Sequence, residues 1–169
     1  MDIRKAQQGD ALGVAEVQVD TWHSTYSPIV PESYLQRMTY AGREKKWRKI
    51  IAAEQVYIAS VPAEGIVGFI HGGPERSGLY AGFNQEVYAL YIRKEHQGKG
   101  HGTRLLDAWR TGLLHRDVPV LVRVLEDNPA CAFYEKKGAG RIDSQTVTID
   151  GVDLEEAVYG WGDIRQIDF

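Results

Sequence analysis

Residues 97–103 read Gln97, Gly98, Lys99, Gly100, His101, Gly102 and Thr103, a short polar stretch after one apolar run and directly before an amphipathic one. Three glycines at alternate positions let backbone amides face inward with no Cβ in the way. A helix opening at this point adds its own unpaired N–H groups and the positive end of its dipole. The chemistry this suits is anion binding, and a pyrophosphate fits. The P-loop pattern G-x-x-x-x-G-K-[ST] is absent, and Gly100-x-Gly102 lacks the third glycine of the dinucleotide fingerprint. On spacing alone, a tight connection that binds nothing remains the other reading. His23, His71, His96, His101 and His115 are too dispersed for a local metal site, so no metal is expected. Cys131, between Ala130 and Ala132, reads as a small packing residue.

The elements that must position this loop follow from the periodicity. Residues 3–6 read as a first strand, and Gly9-Asp10 as a turn and N-cap for a helix with Leu12, Ala15, Val19 and Trp22 on its core face. Pro31 opens a short helix through Tyr34, Leu35 and Met38, and a polar helix covers 43–53. Strands at 56–61, 66–71 and 87–92 then form an antiparallel meander. An amphipathic helix at 103–115 presents Leu105, Leu106, Trp109 and Leu113, with Gly112 as its weak point, and 118–125 is a strand buried on both faces. Asn128-Pro129 opens a helix that Gly138 closes. Strands 146–149 and 152–159 flank Asp150-Gly151, a two-residue hairpin signal. The sum is an α+β chain with a mixed sheet.

In this context Gln97-Gly98-Lys99-Gly100-His101-Gly102 resembles the pyrophosphate loop [QR]-x-x-G-x-[GA] of the GNAT superfamily, acetyl-CoA-dependent N-acetyltransferases. The segment from Asn128 to Gly138, with Phe133 and Tyr134, resembles that family's second cofactor segment, N-x-x-A-x-x-F-Y-x-K-x-G, with Ala130 and Ala132 bracketing its usual alanine. The resemblance spans about residues 2–160 and is motif-rich over 86–138. It implies a three-layer fold: a mixed, mostly antiparallel, twisted sheet of about seven strands with helices on both faces. It implies acetyl-CoA as co-substrate, with pantetheine entering beside Leu90, Tyr91 and Ile92, where a bulge splays the strand from its parallel neighbour. It also implies a polar contact from Asn128 to the pantetheine arm and places Tyr134 near the sulfur.

Acetylating an amine requires a neutral nucleophile, a polarised thioester carbonyl and a proton for the departing thiolate. An alkyl amine is mostly protonated at neutral pH, so a carboxylate is a sensible base. Glu86, 11 residues before Gln97, has a spacing that resembles the family's usual glutamate; the competing reading is a solvated residue at a strand start. Tyr134 is the expected general acid, with a purely structural tyrosine as its competitor. A backbone N–H at Leu90 or Tyr91 polarises the carbonyl. Lys99 and Arg104 either touch phosphates or are solvated, and His101 offers its backbone. Trp22 is expected in the core, and Tyr26 is left open between core and acceptor site.

With 169 residues, 43% hydrophobic and 25% charged, the chain is expected to form one N-acetyltransferase domain over 1–169. A net charge of −3 with dispersed Lys and Arg predicts no nucleic-acid partner. No stretch approaches the roughly 18 apolar residues that span a bilayer, so no membrane partner is expected. One cysteine excludes an intrachain disulfide and suits the cytoplasm. The acceptor is expected to be a small-molecule or peptide amine, attacked directly in a ternary complex. A catalytically idle acyl-CoA sensor is the alternative, and strand 152–159 offers an edge for homodimer pairing.

Overall fold

The computed structural model describes residues 1–113 and 118–167. Seven strands form one sheet in the order β1-β2-β3-β4-β5-β7-β6. They are β1 Asp2–Lys5, β2 Gln55–Val61, β3 Gly65–Pro74, β4 Gln85–Ile92, β5 Val120–Leu125, β6 Gly140–Ile149 and β7 Val152–Trp161. Only the β4/β5 contact is parallel; the remaining neighbours are antiparallel. The mixed, mostly antiparallel sheet expected from the sequence is therefore present.

Five α-helices pack on its two faces: α1 Ala11–Thr21, α2 Glu32–Gln36, α3 Tyr40–Ala53, α4 His101–Thr111 and α5 Ala130–Lys136. On one face Leu105, Leu106 and Trp109 of α4 meet Ile70, Val122 and Tyr159 of the sheet. On the other, Val14 and Val17 of α1 and Trp47 of α3 meet Ile58 and Phe69. Among the described residues no helix is long and apolar enough to cross a membrane.

Several ends follow their capping residues. Thr39 accepts from the Gly42 amide at 3.1 Å to start α3. Gly138, at φ +81°, closes α5, with its amide on Glu135 O at 3.0 Å and that of Ala139 on Tyr134 O at 3.1 Å, the paired bonds of a glycine-ended helix. Asp150 and Gly151 both adopt positive φ, as a two-residue hairpin requires. Outside that turn, Asp150 accepts from Ser33 at 2.8 Å and pairs with Arg37 at 2.5 Å, tying α2 to the hairpin.

Four expectations need correction. Leu12 is 44% exposed; Ala15 and Val19 are buried as expected, but the buried face also runs through Ala11 and Val14, and Leu12, one helical position or about 100° from Ala11, falls outside it. The strand at 152–159 is not an edge: β7 lies between β5 and β6, so β6 carries the free edge at this end. The helix expected over 103–115 starts at His101 and runs to Thr111, and positions 114 and 115 lie outside the described residues. Gly112 ends that helix rather than weakening its middle: a Cβ there would meet Tyr57 Oη at 2.1 Å, so close packing of α4 on β2 demands glycine.

Candidate active site

The site begins with an irregularity in β4. His71 pairs with Ala89 but Gly72 pairs with Val87, so Tyr88 is an extra residue opposite β3. The bulge changes the alternation of the strand. Val87 shares the α4 face with Leu90 and Ile92, whereas Ala89 and Tyr91 face α1 and α3. β4 pairs with β5 only from Gln85 to Val87, and beyond that the two strands part.

The Arg93 N–H donates to Val67 O at 2.9 Å. By the alternation of an antiparallel ladder Tyr91 also turns its amide toward β3, while Leu90 and Ile92 turn theirs into the gap. Of the two amides expected to polarise a carbonyl, Leu90 is thus the one facing the open side.

A cleft of about 520 Å³ fills this gap. Leu90, Tyr91 and Ile92 form one wall, the 97–103 loop its mouth, and Asn128, Phe133 and Tyr134 the opposite wall. Gly98 and Gly100 hold φ of +71° and +80°, and an added Cβ at either would meet nothing within 4 Å, so their open side is free for a ligand. The first bond into α4 runs from the Arg104 amide to Gly100 O at 3.1 Å, leaving the amides of His101, Gly102 and Thr103 at the start of the helix. Gln97 donates from Nε2 to Ile92 O at 3.0 Å, fastening the loop to the strand. Lys99 is not part of the cleft wall, and neither is Arg104.

Tyr134 is 4% exposed, lies edge-on to Phe133 and Trp161, and has its phenol pushed up by burial, which keeps it protonated at neutral pH. Asn128 accepts from the Ala130 amide and donates to Tyr26 Oη, each at 2.9 Å. It satisfies the first amide of α5 and fixes Tyr26, with one N–H left over. Cys131 packs on the core and lies outside the cleft wall.

Tyr26 and Tyr91 also line a second recess, of about 350 Å³, on the α1 side of the sheet. Residues Trp22–Tyr26 continue α1 as a π-helical turn, which stacks the Trp22 ring on that of Tyr26 at 4.2 Å. Trp22 is half-buried and Tyr26 buried, so the tyrosine is the more enclosed of the two, and both line the recess. Arg93 pairs with Asp20, and at 3.7 Å with Glu16, which holds the end of α1 against the end of β4.

Glu86 lines this recess. It is buried, 7% exposed, and not a solvated strand-start residue. One oxygen accepts from the Arg76 amide at 3.3 Å and the other faces Arg123 Nε at 3.5 Å, an ion-pair distance. Burial raises its carboxyl above the ordinary carboxylate range, while that amide and the Arg123 charge pull the other way. Tyr88, which also lines the recess, stacks on Arg76 at 3.5 Å.

Sequence reasoning missed several wall residues. Thr21 and His96 line the cleft, and both are buried with a polar atom, Thr21 Oγ1 and His96 Nδ1, that has no partner among the described residues. Such orphaned atoms fit a wall that meets a polar ligand. Lys136 and Lys137 line it too. Arg76, Arg123 and Glu156 line the second recess. Arg123 and Glu156 were readable as charges in the apolar registers Leu121-x-Arg123-x-Leu125 and Leu154-x-Glu156-x-Val158.

Comparison with known proteins agrees with this geometry. The acetyltransferase (GNAT) domain description matches residues 52–138. The chain is 35% identical to the uncharacterized N-acetyltransferase YuaI of Bacillus subtilis (strain 168) over 98% of this chain and 95% of that one. Its fold is similar to that of the PaiA N-acetyltransferase of Thermoplasma acidophilum in complex with coenzyme A, with a TM-score of 0.68 at 24% identity over 92% of this chain and 96% of that one. It is also similar to yncA, a putative acetyltransferase of Salmonella typhimurium with its cofactor acetyl-CoA, with a TM-score of 0.66 at 20% identity over 95% and 92%. With the splayed β4/β5 pair, the glycine loop at the start of α4 and these likenesses together, the chain belongs to the GNAT family of acetyltransferases.

Proposed function

We propose that the chain is an acetyl-CoA-dependent N-acetyltransferase, a single domain over 1–169 acting in the cytoplasm on a primary amine of a small molecule or peptide. The observation that carries this reading is the junction at Tyr26 and Tyr91. A cleft with a glycine-lined anion cradle there meets a recess holding a buried carboxylate.

Bound acetyl-CoA supplies an activated thioester carbonyl. The amides from Gly98 to Thr103, at the positive end of α4, hold the pyrophosphate. Leu90 and Ile92 offer their gap-facing backbone to the pantetheine arm, beside Phe133 and the spare N–H of Asn128. The Leu90 amide also faces the carbonyl oxygen, where it stabilises developing negative charge.

Glu86 takes a proton from the incoming ammonium. Its raised pKa makes it a stronger base than an exposed carboxylate, and it stays ionised above that pKa. The freed amine attacks directly in a ternary complex: one N–C bond forms, the C–S bond breaks, and Tyr134 gives its phenol proton to the sulfur. The second amine proton leaves through the same recess, and Tyr134 is reprotonated from solvent. No covalent acetyl-enzyme is required.

The test is release of free thiol from acetyl-CoA in the presence of primary amines, for the wild type and for Tyr134→Phe. The reading expects amine-dependent thiol release that falls in the variant while CoA still binds. A wild type that binds acetyl-CoA but turns over with no amine is the idle sensor instead.

A further inference from the structure

Two arginines border Glu86, and each has its shorter contact with another carboxylate. Arg123 meets Glu75 at 3.0 Å and comes to 3.5 Å from Glu86. Arg76 is closer still along the chain. Its backbone N–H donates to a Glu86 oxygen at 3.3 Å, so its side chain starts beside the carboxylate, and rotation about its own bonds would form a charge-assisted pair. The guanidinium instead lies over the Tyr88 ring, 3.5 Å from its centre, and pairs with Glu54 at 3.3 Å.

Glu54 is held in place for that contact. It follows the last residue of α3, and the oxygen that meets Arg76 also accepts from Nε2 of His71 at 2.7 Å. His71 is buried on β3, edge-on to the rings of Trp47 and Tyr88. Burial pushes its imidazole below the ordinary histidine range, against the pull of Glu54, so at neutral pH it is uncharged. It therefore orients Glu54 by a hydrogen bond and leaves the Glu54 charge for Arg76.

The charged and titratable groups around Glu86 are Arg76, Arg123, Glu75, Glu156 and the Tyr88 phenol. A guanidinium that closed on Glu86 would keep it ionised but make it a poorer proton acceptor. Neither Glu54 nor His71 lines the cleft or the recess, so both act through Arg76.

We propose that Glu54, oriented by His71, is a positioning residue that holds the Arg76 guanidinium off Glu86 and keeps that carboxylate available to an acceptor ammonium. This rests on the reading of Glu86 as the base.

The test follows the Glu86 carboxyl itself, by carbon NMR titration of glutamate-labelled protein, with the signal assigned from Glu86→Gln. In Glu54→Gln the Glu86 midpoint is expected to fall by about one pH unit. The acid limb of kcat/KM moves to lower pH with it, and the plateau drops about tenfold. Adding Arg76→Ala removes the released cation and returns the midpoint to the parent value or above. A site merely loosened by the change would lower the plateau and leave the midpoint in place. A midpoint that stays or rises in Glu54→Gln overturns the proposal, and so does a fall that persists in the double variant. A midpoint that falls as expected while Glu86→Gln turns over like the wild type sinks the base reading and leaves the placement of Arg76 standing.

Discussion

On the proposed reading the cleft holds its ligand mainly through the backbone: the amides of Gly98 to Thr103, the gap-facing edge of Leu90 and Ile92, and the start of α4. In the adjoining recess the lining groups are side chains from the π-turn after α1, from Arg76 between β3 and β4, and from β4, β5, β6 and β7. Backbone geometry depends on a short contiguous stretch with glycines at fixed positions. Side-chain chemistry depends on tertiary structure and changes with single substitutions. On the proposed reading the cleft can keep one cofactor while the recess is altered for a new acceptor, and variants in the two regions should fail differently.

The largest expected effect is in the recess. Glu86→Gln should lower kcat by about 100-fold or more while acetyl-CoA affinity, read by calorimetry, changes less than about twofold. Its folded pKa is raised above the unfolded value, so its protonated form favours folding, and that contribution is fully present below the ordinary carboxylate range and lost as pH rises through the folded value. The substitution removes a charge that disfavours folding at neutral pH, and Tm should not fall. Loss of cofactor affinity in this variant would erase the distinction between the two regions. Tyr134→Phe, at the sulfur end, should cost about 100-fold in kcat with CoA binding retained, and an unchanged rate would reduce Tyr134 to a packing residue.

In the cleft the sensitive position is Gly100. At φ +80° any side chain is strained, and Gly100→Val should cost about 1–2 kcal/mol, on the order of tenfold in acetyl-CoA affinity. At saturating cofactor its kcat should be close to the parent's. A subtler effect links charge to pH. Arg123 holds the Glu86 pKa down, so Arg123→Gln should move the acid limb of kcat/KM to higher pH, seen in a pH–rate profile. A limb that stays in place would mean another group titrates there. The smallest effect is expected for Lys99→Ala, less than about twofold on acetyl-CoA affinity, because Lys99 lies outside the cleft wall. A large loss would show that side chains contribute to the cradle after all.

The same contrast explains what the sequence made legible. The cradle, the glycine stop of α5 and the Asp150-Gly151 hairpin are local: a few residue types at fixed spacing dictate the backbone. The recess is not local. Glu86, Arg123 and Glu156 are brought together by the strand order β4-β5-β7, which no short window contains. The Tyr88 bulge switches the two faces of β4 without leaving a glycine or proline to mark it, so the sequence could not choose between the Leu90 and Tyr91 amides. Leu12 is spaced by three from Ala15 and so fits a helical stripe, but the face that packs on the sheet runs through Ala11 and Val14 and leaves Leu12 outside it. The π-turn at Trp22–Tyr26, which aims both rings into the recess, has no residue signature of its own.

The central claim, that the glycine cradle and splayed strands form an acetyl-CoA site, is tested most directly by calorimetric titration of the wild-type protein with acetyl-CoA, desulfo-CoA and ATP. The account predicts micromolar binding of acetyl-CoA, on the order of −8 kcal/mol, comparable binding of desulfo-CoA, and little of ATP. No heat with acetyl-CoA, or ATP binding as tightly, would contradict it and return residues 97–103 to the status of a tight turn.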